Sequence, residues 1–65
     1  MHQIIIKHNG YTIRLWQDDH SFHHDVRTED GHIVFSGNVY IGDPEKIDSR
    51  CEEIKRITGL DVEVA

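Results

Sequence analysis

Apolar and polar positions alternate through most of the first forty residues, and turn-forming pairs interrupt them at short intervals. This is the pattern of consecutive antiparallel strands. Asn9-Gly10 lies between two alternating segments and is the strongest local signal for a two-residue hairpin. Around it His8 falls opposite Tyr11, Ile6 opposite Ile13 and Ile4 opposite Leu15 on one face. The other face pairs Lys7 with Thr12, Ile5 with Arg14 and Gln3 with Trp16. Asp18-Asp19-His20-Ser21 is a polar break, and Asp30-Gly31 is a second hairpin turn. There Thr28 falls opposite Ile33, Val26 opposite Phe35, His24 opposite Gly37 and Phe22 opposite Val39. The reverse side pairs Arg27 with Val34, Asp25 with Ser36 and His23 with Asn38. A bulge near Gly37 would shift Val39, Tyr40 and Ile41.

After Gly42 the period changes. Asp43 suits a helix N-cap and Pro44 the first helical position. Glu45 and Asp48 complement the positive end of the helix dipole, Lys55 and Arg56 the negative end. Ile47, Cys51, Ile54 and Thr58 form one stripe, Gly59 ends the helix, and Leu60 folds back after it. Asp61-Val62-Glu63-Val64 alternates again and predicts a short fifth strand or an edge extension. The fold class is α+β, a single domain over residues 1–65. It is an antiparallel β-meander of about four strands with one C-terminal helix packed on one face. The expected core sets Ile4, Ile6, Ile13, Leu15, Val26, Ile33 and Phe35 against Ile47, Cys51 and Ile54.

One helix covers one sheet face. The opposite face then holds Ile5, Trp16, Val34 and Tyr40 among Lys7, Arg14, Arg27 and His23, the composition of an interface hot spot. Trp16, Arg14, Ile5, Tyr40, Val34, Arg27 and His23 are therefore the candidate partner-binding residues. A one-residue slip would turn Trp16 into the core, so both placements of that ring stay open.

Composition narrows the function. The chain has 65 residues, 12 acidic against 7 basic, for a net charge of −5. So short a chain cannot wall a large substrate cavity. No apolar run is longer than Ile4-Ile5-Ile6, so no membrane-spanning helix and no secretory leader are expected. A single cysteine, Cys51, forms no internal disulfide and fits a reducing, cytoplasmic setting. It falls in the apolar helix stripe, where burial makes a thiol inert. Asp18-Asp19 and Glu52-Glu53 lie on a loop tip and a helix surface, without the cleft that acid–base chemistry needs. There is no phosphate-cradling glycine loop, and no nucleophile–base motif. No catalytic residue, no cofactor and no enzymatic activity are expected.

Six histidines raise metal binding: His2, His8, His20, His23, His24 and His32. Adjacent His23 and His24 point to opposite faces of a strand and cannot easily share an ion. His20, His23 and Asp25 are able to approach around a turn, but no metal-ligand spacing is present, and no metal site is expected. Six imidazoles titrating near 6.5 would carry the net charge towards zero in mild acid, a route to pH sensitivity.

The run Gly10-Tyr11-Thr12-Ile13, an aromatic strand, Asp30-Gly31 and a helix opened by Asp43-Pro44-Glu45 resembles small prokaryotic sheet-plus-helix domains. HicB-type antitoxins and the AP2-like arm-binding domains of phage integrases are similar in outline, over residues 10–57. The arm-binding resemblance implies an exposed sheet that meets DNA through basic residues. Neither resemblance transfers a site residue to this chain.

Three function classes follow. The first is a small acidic protein-interaction module, an inhibitor or regulatory adaptor of prokaryotic or phage type. It would bind a protein partner through the uncovered sheet face or its acidic surface, and could occupy a basic groove. The second is a nucleic-acid-binding sheet with Trp16, Tyr40, Arg14, Arg27 and Lys7 as its platform. The charge of −5 counts against it, because nucleic-acid affinity is largely phosphate neutralisation. The third is a homodimer whose sheet faces pack together.

Overall fold

A computed structural model of the chain describes residues 3–62. Four strands, β1 (Gln3–His8), β2 (Tyr11–Gln17), β3 (Ser21–Thr28) and β4 (Ile33–Tyr40), form one antiparallel sheet in sequence order. Helix α1 (Pro44–Thr58) follows. The α+β meander with one C-terminal helix is the architecture the alternation and the single helical stripe predict.

The first hairpin has the predicted register at all six pairs, from His8 opposite Tyr11 to Gln3 opposite Trp16. Its turn requires positive φ at both central residues. Asn9 adopts 51° and Gly10 81°, which these residue types tolerate. Asn9 does more than turn the chain. Its Nδ2 donates to the Thr58 carbonyl at 2.9 Å, satisfying a carbonyl at the end of α1 and tying the hairpin to the helix.

Asp43 caps α1 by accepting from the Lys46 amide, and Gly59 ends it in the left-handed region at φ 82°, its N–H bonded to the Lys55 carbonyl. Ile47, Cys51, Ile54 and Thr58 are the buried stripe. They meet Ile13, Leu15, Phe22, Val26 and Val39, with Tyr11, Phe35, Leu60 and Val62 packed around them.

The second hairpin departs from the predicted register at its turn end. Phe22 opposite Val39, His24 opposite Gly37 and Val26 opposite Phe35 stand as predicted, but Arg27 pairs with Ile33. The irregularity lies between Val26 and Arg27, not near Gly37. The turn takes three residues, Glu29–Gly31, rather than Asp30-Gly31 alone: the Gly31 N–H donates to the Thr28 carbonyl and the Thr28 N–H to the His32 carbonyl. One extra residue then enters β4, so Ile33 and Val34 share the place opposite Arg27. Ile33, expected in the core, is thereby turned away from α1 and is 56% exposed. Ile4 and Ile6, also expected in the core, lie outside it for another reason. They are on the helix-facing side but at the outer strand, beyond the reach of a single helix; Ile4 is 55% exposed and Ile6 half-buried. Asp61 and Val62 form no strand; Glu63 and Val64 of the expected fifth strand lie outside the described residues.

His24 is the unexpected core residue. It is 1% exposed, flanked by the Phe22 and Phe35 rings at 5.8 and 4.8 Å, and neither ring nitrogen has a hydrogen-bond partner among the described residues. Gly37 opposite it makes the space. A Cβ there would stand 3.5 Å from the imidazole and 3.4 Å from the Arg50 guanidinium.

Candidate functional site

The face opposite α1 is built by alternation along β1 to β3 and, on β4, by alternation and the bulge. β1 contributes Ile5 and Lys7, β2 Thr12, Arg14 and Trp16, and β3 His23, Asp25 and Arg27. β4 contributes Ile33, paired with Arg27, and then Val34, Ser36, Asn38 and Tyr40. All seven candidate residues therefore share one face. They do not form one patch. Val34 and Tyr40 are six residues apart on β4, roughly 20 Å at a strand rise of about 3.3 Å per residue.

Two groups stand out across the strands. In the first, Arg14 and Arg27 both donate through Nε to the same oxygen of Asp25, at 3.1 and 3.0 Å. Asp25 is 4% exposed, so its carboxylate is covered by the two guanidinium groups that neutralise it. Lys7 and Thr12 complete the row that runs to Arg27. A recess of about 350 Å³ lies over this corner, lined by Thr12, Arg14, Arg27, Thr28, Glu29 and Gly31.

In the second group the Trp16 and His23 rings stack at 4.9 Å and are parallel within 4°. The Arg14 guanidinium lies 5.7 Å from the Trp16 ring centroid and links the two groups. His23 Nε2 is 2.7 Å from Asp18 Oδ2. Asp18 also accepts from the His20 and Ser21 amides, which closes the turn between β2 and β3. The bond from His23 and those two amides hold the Asp18 carboxyl down at about 2, from an ordinary 3.8. Asp18 is thus ionised at neutral pH and accepts, so His23 Nε2 carries the proton. His23 pairs with Asp18, not with Asp25, and His20 contributes its backbone rather than its ring to this turn.

Trp16 lies on the open face, half-buried against its neighbours. Tyr40 is 65% exposed and its ring lies over Gly42. Cys51 is buried under α1, where desolvation and then the charge of Asp48 push its thiol up from the ordinary value.

The residues that order this face, Asp25 and Asp18, were not among the candidates. The signal for them lies in the register between β2 and β3. A two-residue turn at Asp19-His20 sets Arg14 opposite Asp25 and Trp16 opposite His23, as the structure does.

Against known protein families, characterised proteins and solved structures, the chain shows no match. No helix among the described residues is long and apolar enough to cross a membrane.

Proposed function

We propose that this chain is a small non-enzymatic protein-interaction module, an inhibitor or regulatory adaptor, that engages a protein partner through the open sheet face. The observation that carries this reading is the Arg14–Trp16–His23 stack, fixed from below by Asp25 and from the side by Asp18. Arginine and tryptophan carry much of the energy at protein interfaces, since they bury large area at modest entropic cost. Here the ordering cost is largely met before a partner arrives, which favours affinity. Ile5 at 58% and Val34 at 44% exposure supply apolar contact at the margins.

A nucleic-acid reading draws on the same arginines. The charge of −5 weighs against it, and Trp16 is already engaged by His23 and Arg14 rather than offered as a free stacking platform. Self-association has its own supporting observation. β1 is an edge strand with Ile4 and Ile5 exposed on its two sides, a template for pairing with another strand.

The test is Trp16→Ala. Partner binding should weaken by about 2 kcal/mol or more, while the chain still melts cooperatively by circular dichroism. Retained binding in a folded variant would move the contact to the acidic helix surface around Asp48, Glu52 and Glu53. A folded variant that shifts from dimer to monomer would favour self-association, and a salt-dependent DNA shift would restore the nucleic-acid reading.

A further inference from the structure

Charge is segregated in this molecule. The corner of the open face that holds Lys7, Arg14 and Arg27 also holds Asp25 and, at its rim, Glu29, an excess of one positive charge. With a total of −5, the remainder of the chain carries −6. The positive charges are also concentrated at one corner. Lys7 and Arg27 flank Thr12 on neighbouring strands, and Arg14 is two residues along β2 from it.

We infer that this corner, resting on the reading of the open face as the contact surface, seats a carboxylate from an acidic segment of a protein partner. The two arginines are anchored through Nε on the buried Asp25, which fixes their planes. Their Nη groups are the donors left for a ligand, apart from a long 3.5 Å contact from Arg27 Nη1 to the Gly31 carbonyl. A guanidinium held in this way recognises an oxyanion with little further loss of rotamer freedom. Thr12 stands between Lys7 and Arg27 in the ladder and lines the recess, with a hydroxyl as its neutral donor.

The recess favours a singly charged group. Glu29 lines its rim, so a dianionic phosphate would meet a like charge that a single carboxylate meets less strongly. The acidic remainder of the chain repels an acidic segment everywhere else. That steers the segment to this face and fixes its approach. The same surplus of −6 opposes a long polyanion such as DNA, which would have to pass those acidic surfaces.

The experiment is a titration of isotope-labelled chain with capped hexaglutamate, followed by NMR at the Arg14 and Arg27 side-chain Nε–H groups and the Thr12 amide. A capped hexalysine and an oligothymidylate are run in parallel. These three resonances should shift saturably with hexaglutamate, and the shifts should fade as salt rises from about 20 to about 300 mM. Arg14→Gln with Arg27→Gln should weaken binding about tenfold or more. That double variant strips Asp25 of both partners and can fail to fold. Lys7→Gln leaves the anchor intact, and should weaken binding about threefold. Glu52→Gln on α1 should leave it unchanged. Shifts at other sites only, indifference to Lys7→Gln, or tighter binding of the oligothymidylate would overturn the inference. If hexaglutamate fails while Trp16→Ala still abolishes partner binding, the open face remains the contact surface and only the carboxylate seat falls. If Trp16→Ala also leaves partner binding intact, both fall.

Discussion

Acid should weaken this fold through His24 in particular. The imidazole is 1% exposed among Phe22 on its own strand, Leu15 on β2, Phe35 and Gly37 on β4 and the nearby Arg50 of α1, and neither nitrogen has a hydrogen-bond partner among the described residues. Burial holds its pKa below the ordinary 6.5, with the Arg50 charge from α1 and His23 acting in the same direction and Asp25 opposing them. Above 6.5 both folded and unfolded chains keep the ring neutral, and stability is unaffected. Below 6.5 the unfolded chain takes up a proton that the folded chain resists. Stability then falls with pH by up to about 1.4 kcal/mol per unit, until the folded pKa is reached. His24→Leu removes both unbonded nitrogens at similar volume. An unsatisfied buried polar group costs about 1–3 kcal/mol, so the variant should be more stable by about that amount at neutral pH. For a domain of this size that is a melting temperature higher by about 4–8 °C per kcal/mol. Urea melts of parent and variant at pH 8, 6 and 5 decide the matter. The gap between them should widen as pH falls. Parallel pH slopes, or a less stable leucine variant at pH 8, would mean that the ring has a partner and refute the reasoning.

Four further outcomes follow from the contacts. Ile54→Ala or Leu15→Ala should cost about 2–5 kcal/mol, because both side chains are buried where sheet and helix meet; denaturant melts measure it. Asn9→Gly keeps the turn but loses the bond to Thr58, whereas Asn9→Ala loses both, so urea midpoints should fall in the order parent, glycine, alanine. Gly59→Ala forces a Cβ at φ 82° to within 3.2 Å of Asn9 Nδ2 and should cost about 1 kcal/mol by the same measurement. The Asp18 carboxyl, held at about 2 mainly by His23, stabilises the turn above 3.8 and loses that effect as pH falls from 3.8 to 2. Asp18→Asn should remove that part of the acid transition followed by NMR at His20 and Ser21.

Much of the fold was legible because two periodicities and four turn or cap signals agree. Asn9-Gly10 set one register outright, and Asp43-Pro44 and Gly59 set both ends of α1. Ile33 and Ile4 escaped for physical reasons. A bulge is a local exchange of one ladder pairing for extra twist, and Asp30-Gly31 reads equally as a two-residue turn or as the end of the three-residue turn the chain adopts, with Gly31 at φ 91°. How far one helix reaches across a four-stranded sheet is likewise a matter of packing angle, not of local pattern. The open face was readable as a list of residues but not as an arrangement. Each hairpin's turn fixes only its own register, and the pairing of β2 with β3 is what brings Asp25 under Arg14 and His23 against Trp16. His24 on the apolar side reads as an ordinary strand histidine until Gly37 is seen to make room for it.

The open face as the contact surface is tested most directly by placing a photo-crosslinking residue at Asn38, on that face, or at Glu52, on the outer side of α1, and irradiating cells of the native host. Both positions are exposed, and neither joins the core. A discrete heterologous adduct from Asn38 that disappears with Trp16→Ala, and none from Glu52, is the predicted result. An adduct from Glu52 alone, or one from Asn38 that persists with Trp16→Ala, would contradict it.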